Sequence, residues 1–144
     1  MVKFETVSKQ KTAYVSNLNW QTWLKHGDQY LKAATSKGET SRFGADIRYN
    51  LLSLSLEGYV MAILDYHKRL PDNHTYTDLI DALEIVMPLD PGLKSRILQY
   101  ENIQSICSID KYQRNAPTEE ELSDLKGAIV EIGNIAHQII RVSL

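Results

Sequence analysis

The chain has a single cysteine, Cys107, no excess of either charge and no long apolar run. One cysteine excludes an intramolecular disulfide, and no cysteine and histidine cluster has the spacing of a structural zinc site. The 16 lysines and arginines against 18 acids leave a formal charge of -2. Bulk attraction to phosphate is therefore absent, and any nucleic-acid contact must come from a local patch. Nowhere do about 18 apolar residues run together, the length that a membrane span needs. The N-terminal MVKFETVSKQKTAYV likewise has no apolar core of signal-peptide length. These absences predict a protein of a reducing cytoplasm, away from membranes and without a metal or cofactor. Internal repeats, low-complexity tracts and linkers are missing as well.

What is present is ordinary globular material: 144 residues, 43% hydrophobic and 24% charged, enough for one core. Residues 1–15 hold two short β-like runs, KFETV and TAYV, around polar SKQK, and predict a small hairpin or an extended arm. Residues 16–144 then change to helical periodicity. Trp20, Trp23, Leu24, Gly27, Leu31 and Ala34 form one stripe, with Ser16 or Asn17 as cap and Lys37 and Gly38 as the stop. A long second helix is expected from Phe43 to Lys68. Ala45, Tyr49, Leu52, Leu56, Tyr59 and Ile63 cover one face, while Ile47, Leu51, Leu54, Met61 and Leu64 cover much of the rest, as suits the middle of a bundle.

After the turn residues Pro71, Asp72 and Asn73, Thr75 or Thr77 caps a short third helix with Leu79, Ile80, Leu83, Val86 and Met87, stopped by Pro88. Asp90 and Pro91 start a fourth, with Leu93, Ile97, Tyr100, Ile103 and Cys107 on its inner face. Thr118 and Glu121 form a capping box for the last helix. There Leu122, Leu125, Ile129, Ile132, Ala136 and Ile139 make a packing seam, and Gly127 and Gly133 give a neighbouring helix room to approach. The predicted fold class is all-α, an up-and-down bundle of four to five antiparallel helices.

The order of local features narrows this outline: NLLSLSLEGYVMAIL with a mid-helix glutamate, then LPDNHTYTDLIDAL, then YQRNAP ahead of the final helix. This succession resembles the HEPN family over roughly residues 16 to 142. The resemblance implies a small bundle that dimerises, encoded as the partner of a minimal nucleotidyltransferase or acting as an RNA-cleaving toxin. Active HEPN ribonucleases use an arginine, commonly followed by a polar residue, with a histidine about five to seven positions onward. Arg114 and Asn115 match the first half, but Glu119, Glu120 and Glu121 stand where the histidine belongs. RNA cleavage through the 2'-hydroxyl needs a group that exchanges protons near neutral pH, which histidine does with little tuning. The expected function is thus non-catalytic binding of a nucleotide, RNA or a nucleotidyltransferase-type protein, as a homodimer. The alternatives are a ribonuclease toxin with a displaced histidine and a structural interaction module. Arg69 and His74 also fit the motif spacing but stand after the second helix, where a turn histidine that caps or packs onto the third helix is the plainer reading.

Candidate binding residues fall in two groups. Arg42, Asp46, Asn50, Ser53 and Glu57 recur at steps of three and four along the second helix, as either a solvated stripe or a polar groove in which Glu57 meets a cation such as Arg114. Asp110, Tyr112, Arg114 and Asn115 lie in the loop before the last helix, where Tyr112 could stack on a base or pin the loop to the bundle. His137, on a polar stripe of the last helix with Asn134, Gln138 and Arg141, is expected to face solvent.

Overall fold

A helix that is apolar all round must be covered all round, and the second helix of this chain meets that condition over half its length. The computed structural model describes residues 19–35, 44–101 and 117–142, and five helices run through them without a strand. They are α1 (Trp20–Thr35), α2 (Ala45–Tyr66), α3 (Tyr76–Val86), α4 (Pro91–Leu98) and α5 (Glu119–Val142). The arm predicted for residues 1–15 lies outside the described residues, as do Ser16, Asn17, Lys37 and Gly38.

The helix starts follow side-chain chemistry. Asn19, rather than either residue expected, caps α1 by accepting from the Thr22 amide at 3.0 Å. Thr75 accepts from the Asp78 amide at the start of α3, and Asp90 from the Leu93 amide at the start of α4. The capping box forms as expected. The Glu121 amide donates to Thr118 Oγ1 at 3.1 Å, and the Thr118 amide to Glu121 Oε1 at 2.9 Å, so each side chain serves an amide that the helix leaves open. α3 stops at Val86 because Pro88 drives Met87 to an extended φ of -157°. α4 is shorter than expected: it ends at Leu98, Leu93, Ile97 and Tyr100 are buried, and Ile103 and Cys107 lie outside the described residues.

α2 ends by a device that the sequence does not advertise. Lys68 takes a positive φ of 57°. Its amide then bonds to the Asp65 carbonyl at 3.0 Å and that of Arg69 to the Leu64 carbonyl at 2.8 Å. This is the left-handed closing turn in which glycine is the usual residue.

From Ser55 to Leu64 every residue of α2 except Glu57 is buried. α1 runs antiparallel to it: Trp20 meets Tyr66 edge-on at 5.9 Å, and buried Ser55 donates to the Gly27 carbonyl at 2.7 Å. α5 lies along α2 in the same direction, from the Arg48 and Glu119 ion pair to Tyr59 beside Gly133. α3 and α4 carry the chain back between them. Tyr76 stacks on Tyr49, and Tyr49 Oη donates to the Tyr100 carbonyl at 2.8 Å. The first half of α2 is less covered than its apolar pattern implied, with Ile47 49% and Leu54 40% exposed. On α5, Ile140 is buried and Ile139 half-buried.

Glycine permits the closest contacts. A Cβ on Gly58 would stand 2.5 Å from the Gly27 amide nitrogen and 2.9 Å from the Trp23 carbonyl oxygen. On Gly27 or Gly133 it would come within 2.7 Å of the Tyr59 ring, one from each side of α2's neighbours. Gly133 therefore does what the seam suggested, whereas Gly127 faces only the guanidinium of Arg96.

Three substitutions test this account by urea denaturation. Gly58→Ala meets backbone and should destabilise by about 1–3 kcal/mol, while Gly44→Ala, with nothing within 4 Å of the new Cβ, should change stability by less than about 1 kcal/mol. Lys68→Gly should stabilise the fold by about 1 kcal/mol by relieving the left-handed backbone; a neutral or negative effect would refute that reading of the turn.

Candidate functional site

Three of the eight residues singled out for binding are described. Arg42, Asp110, Tyr112, Arg114 and Asn115 lie outside the described residues. Asp46 and Asn50 are exposed on the first turns of α2, and Glu57 is half-buried further along. The stripe does border a depression. The chain leaving α2 through the turn at Lys68 carries His74 and Tyr76 to the same face, closing a cleft of about 330 Å³ lined by Asn50, Ser53, Leu54, Glu57, His74 and Tyr76. Asp46 stands outside it.

Inside the cleft, His74 Nδ1 pairs with Glu57 Oε2, and Ser53 Oγ lies 2.6 Å from Tyr76 Oη. His74 thus reaches across to α2 instead of capping or packing onto α3; Thr75 is the cap. Tyr76 is buried, which together with neighbouring Tyr49 pushes its hydroxyl pKa well above the usual range, so it acts as a neutral hydrogen-bonding group. The cleft offers the Asn50 amide, the Ser53 hydroxyl, which is shared with buried Tyr76, and a carboxylate-held imidazole. Such a set suits the donors and acceptors of a base or an amide. A carboxylate-held imidazole is also the element from which proton transfer is built.

A second polar node lies where α1, α2 and α5 meet. Tyr59, 2% exposed, donates from Oη to Asp28 Oδ1 at 2.6 Å, and His137 Nε2 lies 2.9 and 3.0 Å from the two oxygens of the same carboxylate. The imidazole stands edge-on to the Tyr59 ring at 6.2 Å. His137 therefore does not simply face solvent, although Asn134 and Gln138 on its stripe do. Burial first, and then the bond to Asp28, raise the Tyr59 pKa far above its ordinary value. Asp28 escaped sequence reasoning because its partners come from helices distant in the chain and no local spacing links them.

The third node joins α4 to α5. Asp124 accepts from Arg96 Nε and Gln99 Nε2, each at 3.2 Å, and from Tyr100 Oη, while Arg96 Nη1 also reaches Glu131 at 2.6 Å. Burial and then Asp124 push the Tyr100 pKa up to about 12. Among the described residues no group of three or more His, Cys, Asp or Glu side chains is placed to hold a metal ion, and no helix is long and apolar enough to cross a membrane.

The raised tyrosines carry a sign. An unfolded tyrosine ionises near pH 10, so each raised hydroxyl contributes stability fully below that pH and loses it as pH climbs through the folded value, about 12 for Tyr100. In an alkaline titration followed at 295 nm, Tyr59, Tyr76 and Tyr100 should ionise only as the fold is lost, and Tyr59→Phe should remove one from that late group. All the tyrosines ionising together near pH 10 with the near-ultraviolet dichroism intact would contradict the assignment.

Compared with family models, with curated proteins and with solved structures, the chain shows no match.

Proposed function

We propose that the chain is a HEPN-like, non-catalytic helical bundle that binds a nucleotide or an RNA segment in the cleft beside α2. The observation that supports this is the convergence of Asn50, Ser53 and Glu57 from α2 with His74 and Tyr76 from the following turn. The set matches base edges better than phosphates, in keeping with the chain's net charge of -2. The non-catalytic part rests on the interrupted arginine and histidine motif. The glutamates standing in place of the histidine have structural work: Glu119 pairs with Arg48, and Glu121 closes the capping box. A homodimer through α2 fits the exposure of Ile47 and Leu54 beside the cleft, and a nucleotidyltransferase-type protein is the partner that the family resemblance suggests.

One observation favours the ribonuclease alternative, the His74 imidazole held by Glu57 in the same cleft. A single experiment separates the two. Incubated with a short labelled RNA at low and moderate salt, the protein should bind without cleaving it. Asn50→Ala should weaken binding by about 1–2 kcal/mol, roughly 5- to 30-fold. Cleavage abolished by both His74→Ala and Arg114→Ala would establish the ribonuclease instead, and neither binding nor cleavage would leave a protein partner as the function.

A further inference from the structure

Half a turn around α2 from the cleft, at the angle that separates Arg48 from Glu57, a second cavity of about 220 Å³ opens between α1, α2 and α5. Thr35, Arg48, Glu119, Ser123 and Lys126 supply its polar lining over Leu52. Arg48 is set deep, with its side chain only 15% exposed, and its Nε has no hydrogen-bond partner. Its guanidinium is forked onto the Glu119 carboxylate, Nη1 to Oε1 at 2.8 Å and Nη2 to Oε2.

The two halves of that ion pair differ in burial. Glu119 is 75% exposed, and so exposed an acid contributes little to stability. Arg48 stays where the fold puts it. A guanidinium that donates to a carboxylate in a fork donates to a phosphate in the same geometry, and a phosphate brings up to twice the charge. Lys126 is exposed on the same rim and has no ion-pair partner among the described residues. Ser123 Oγ adds a donor there, whereas the Thr35 hydroxyl is already given to the Leu31 carbonyl at 2.8 Å. Among the described residues the acid that lines this cavity is Glu119, since Glu120 and Glu121 line a different depression with Arg96 and Asp124. Arg48 holds the Glu119 carboxyl below the usual carboxylate range, so the acid stays ionised and competes at neutral pH. The cavity also opens at the N-terminal end of α5, where the helix dipole favours an anion.

We propose that this cavity is a binding site for a phosphate group, in which Glu119 occupies Arg48 until a phosphate displaces it and Lys126 completes the charge. The site is independent of the cleft beside α2, so its test is read separately. Amide shifts of the full chain are followed by NMR against inorganic phosphate and against adenosine 5'-monophosphate, with chloride matched in ionic strength as control. Phosphate should shift Arg48, Ser123 and Lys126, and chloride should not. Glu119→Gln should tighten binding about 2- to 5-fold, the equivalent of removing a weak exposed ion pair. Lys126→Gln should weaken it by a similar factor, and Arg48→Lys should weaken it more because a point charge replaces the fork. Should Arg48→Lys fail to fold, the two exposed variants decide. Tighter binding of the nucleotide assigns the phosphate to a nucleotide, and equal binding assigns it to the free ion. Unchanged affinity in both Glu119→Gln and Lys126→Gln, or a response to chloride equal to that to phosphate, overturns the proposal. Asn50→Ala, in the other site, should leave these shifts as they are.

Discussion

Where Gly58 faces Gly27, α1 and α2 come so near that neither helix has room for a Cβ. That approach fixes the rest of the bundle, because the residue after Gly58 is Tyr59, and its ring fills the space between Gly27 on α1 and Gly133 on α5. A larger residue at any of the three glycines pushes a helix axis outward. Gly58 and Gly27 sacrifice some intrinsic helix propensity, about 1 kcal/mol each, and the dense packing around Val60, Ile63 and Leu64 offsets it. Ser55 belongs to the same contact: buried among apolar side chains, it is tolerated because the Gly27 carbonyl stands 2.7 Å away.

The polar ties around this contact select one arrangement of helices more than they add stability. Asp28 receives Tyr59 and lies against His137, so a slip of α1 by one turn would strand a buried hydroxyl. Asp124 does the same for α4 through Arg96, Gln99 and Tyr100. Unpaired polar groups in a core cost about as much as a lost hydrogen bond or more, and that penalty excludes competing registers.

Both proposed sites are arranged around α2 for the same reason. Its buried face anchors the bundle, and its first half stays open on two sides. On one side, Asn50, Ser53 and Glu57 meet His74 and Tyr76; on the other, Arg48 looks into the cavity shared with α1 and α5. The two sites differ in chemistry. The cleft holds neutral hydrogen-bonding groups and one carboxylate-held imidazole, whereas the cavity holds two cations and one exposed acid. In the proposed reading, base and phosphate recognition are thus separated by the width of one helix.

Helix by helix, local chemistry was legible in the residues themselves. The capping box of Thr118 and Glu121, the Asp90 and Pro91 start and the Pro88 stop depend on neighbours within four positions, so spacing alone determines them, as it does the central place of an all-round apolar α2. The place where α2 ends was legible too, but the left-handed turn that Lys68 makes there was not, because a lysine carries no sign that its backbone will turn left-handed. Nor were the pairings of His74 with Glu57, His137 with Asp28 and Arg48 with Glu119. Each joins elements whose meeting depends on how the helices stack, and a polar residue on a helix shows the same periodicity whether it faces water or a partner. The sequence by itself determined the all-α class, most helix boundaries and the buried stripes, since these follow from short-range hydrogen bonding and from the period of the helix. Only the tertiary structure decided which polar side chains converge, because that is set by helix approach at Gly27, Gly58 and Gly133, a distance that no local pattern encodes.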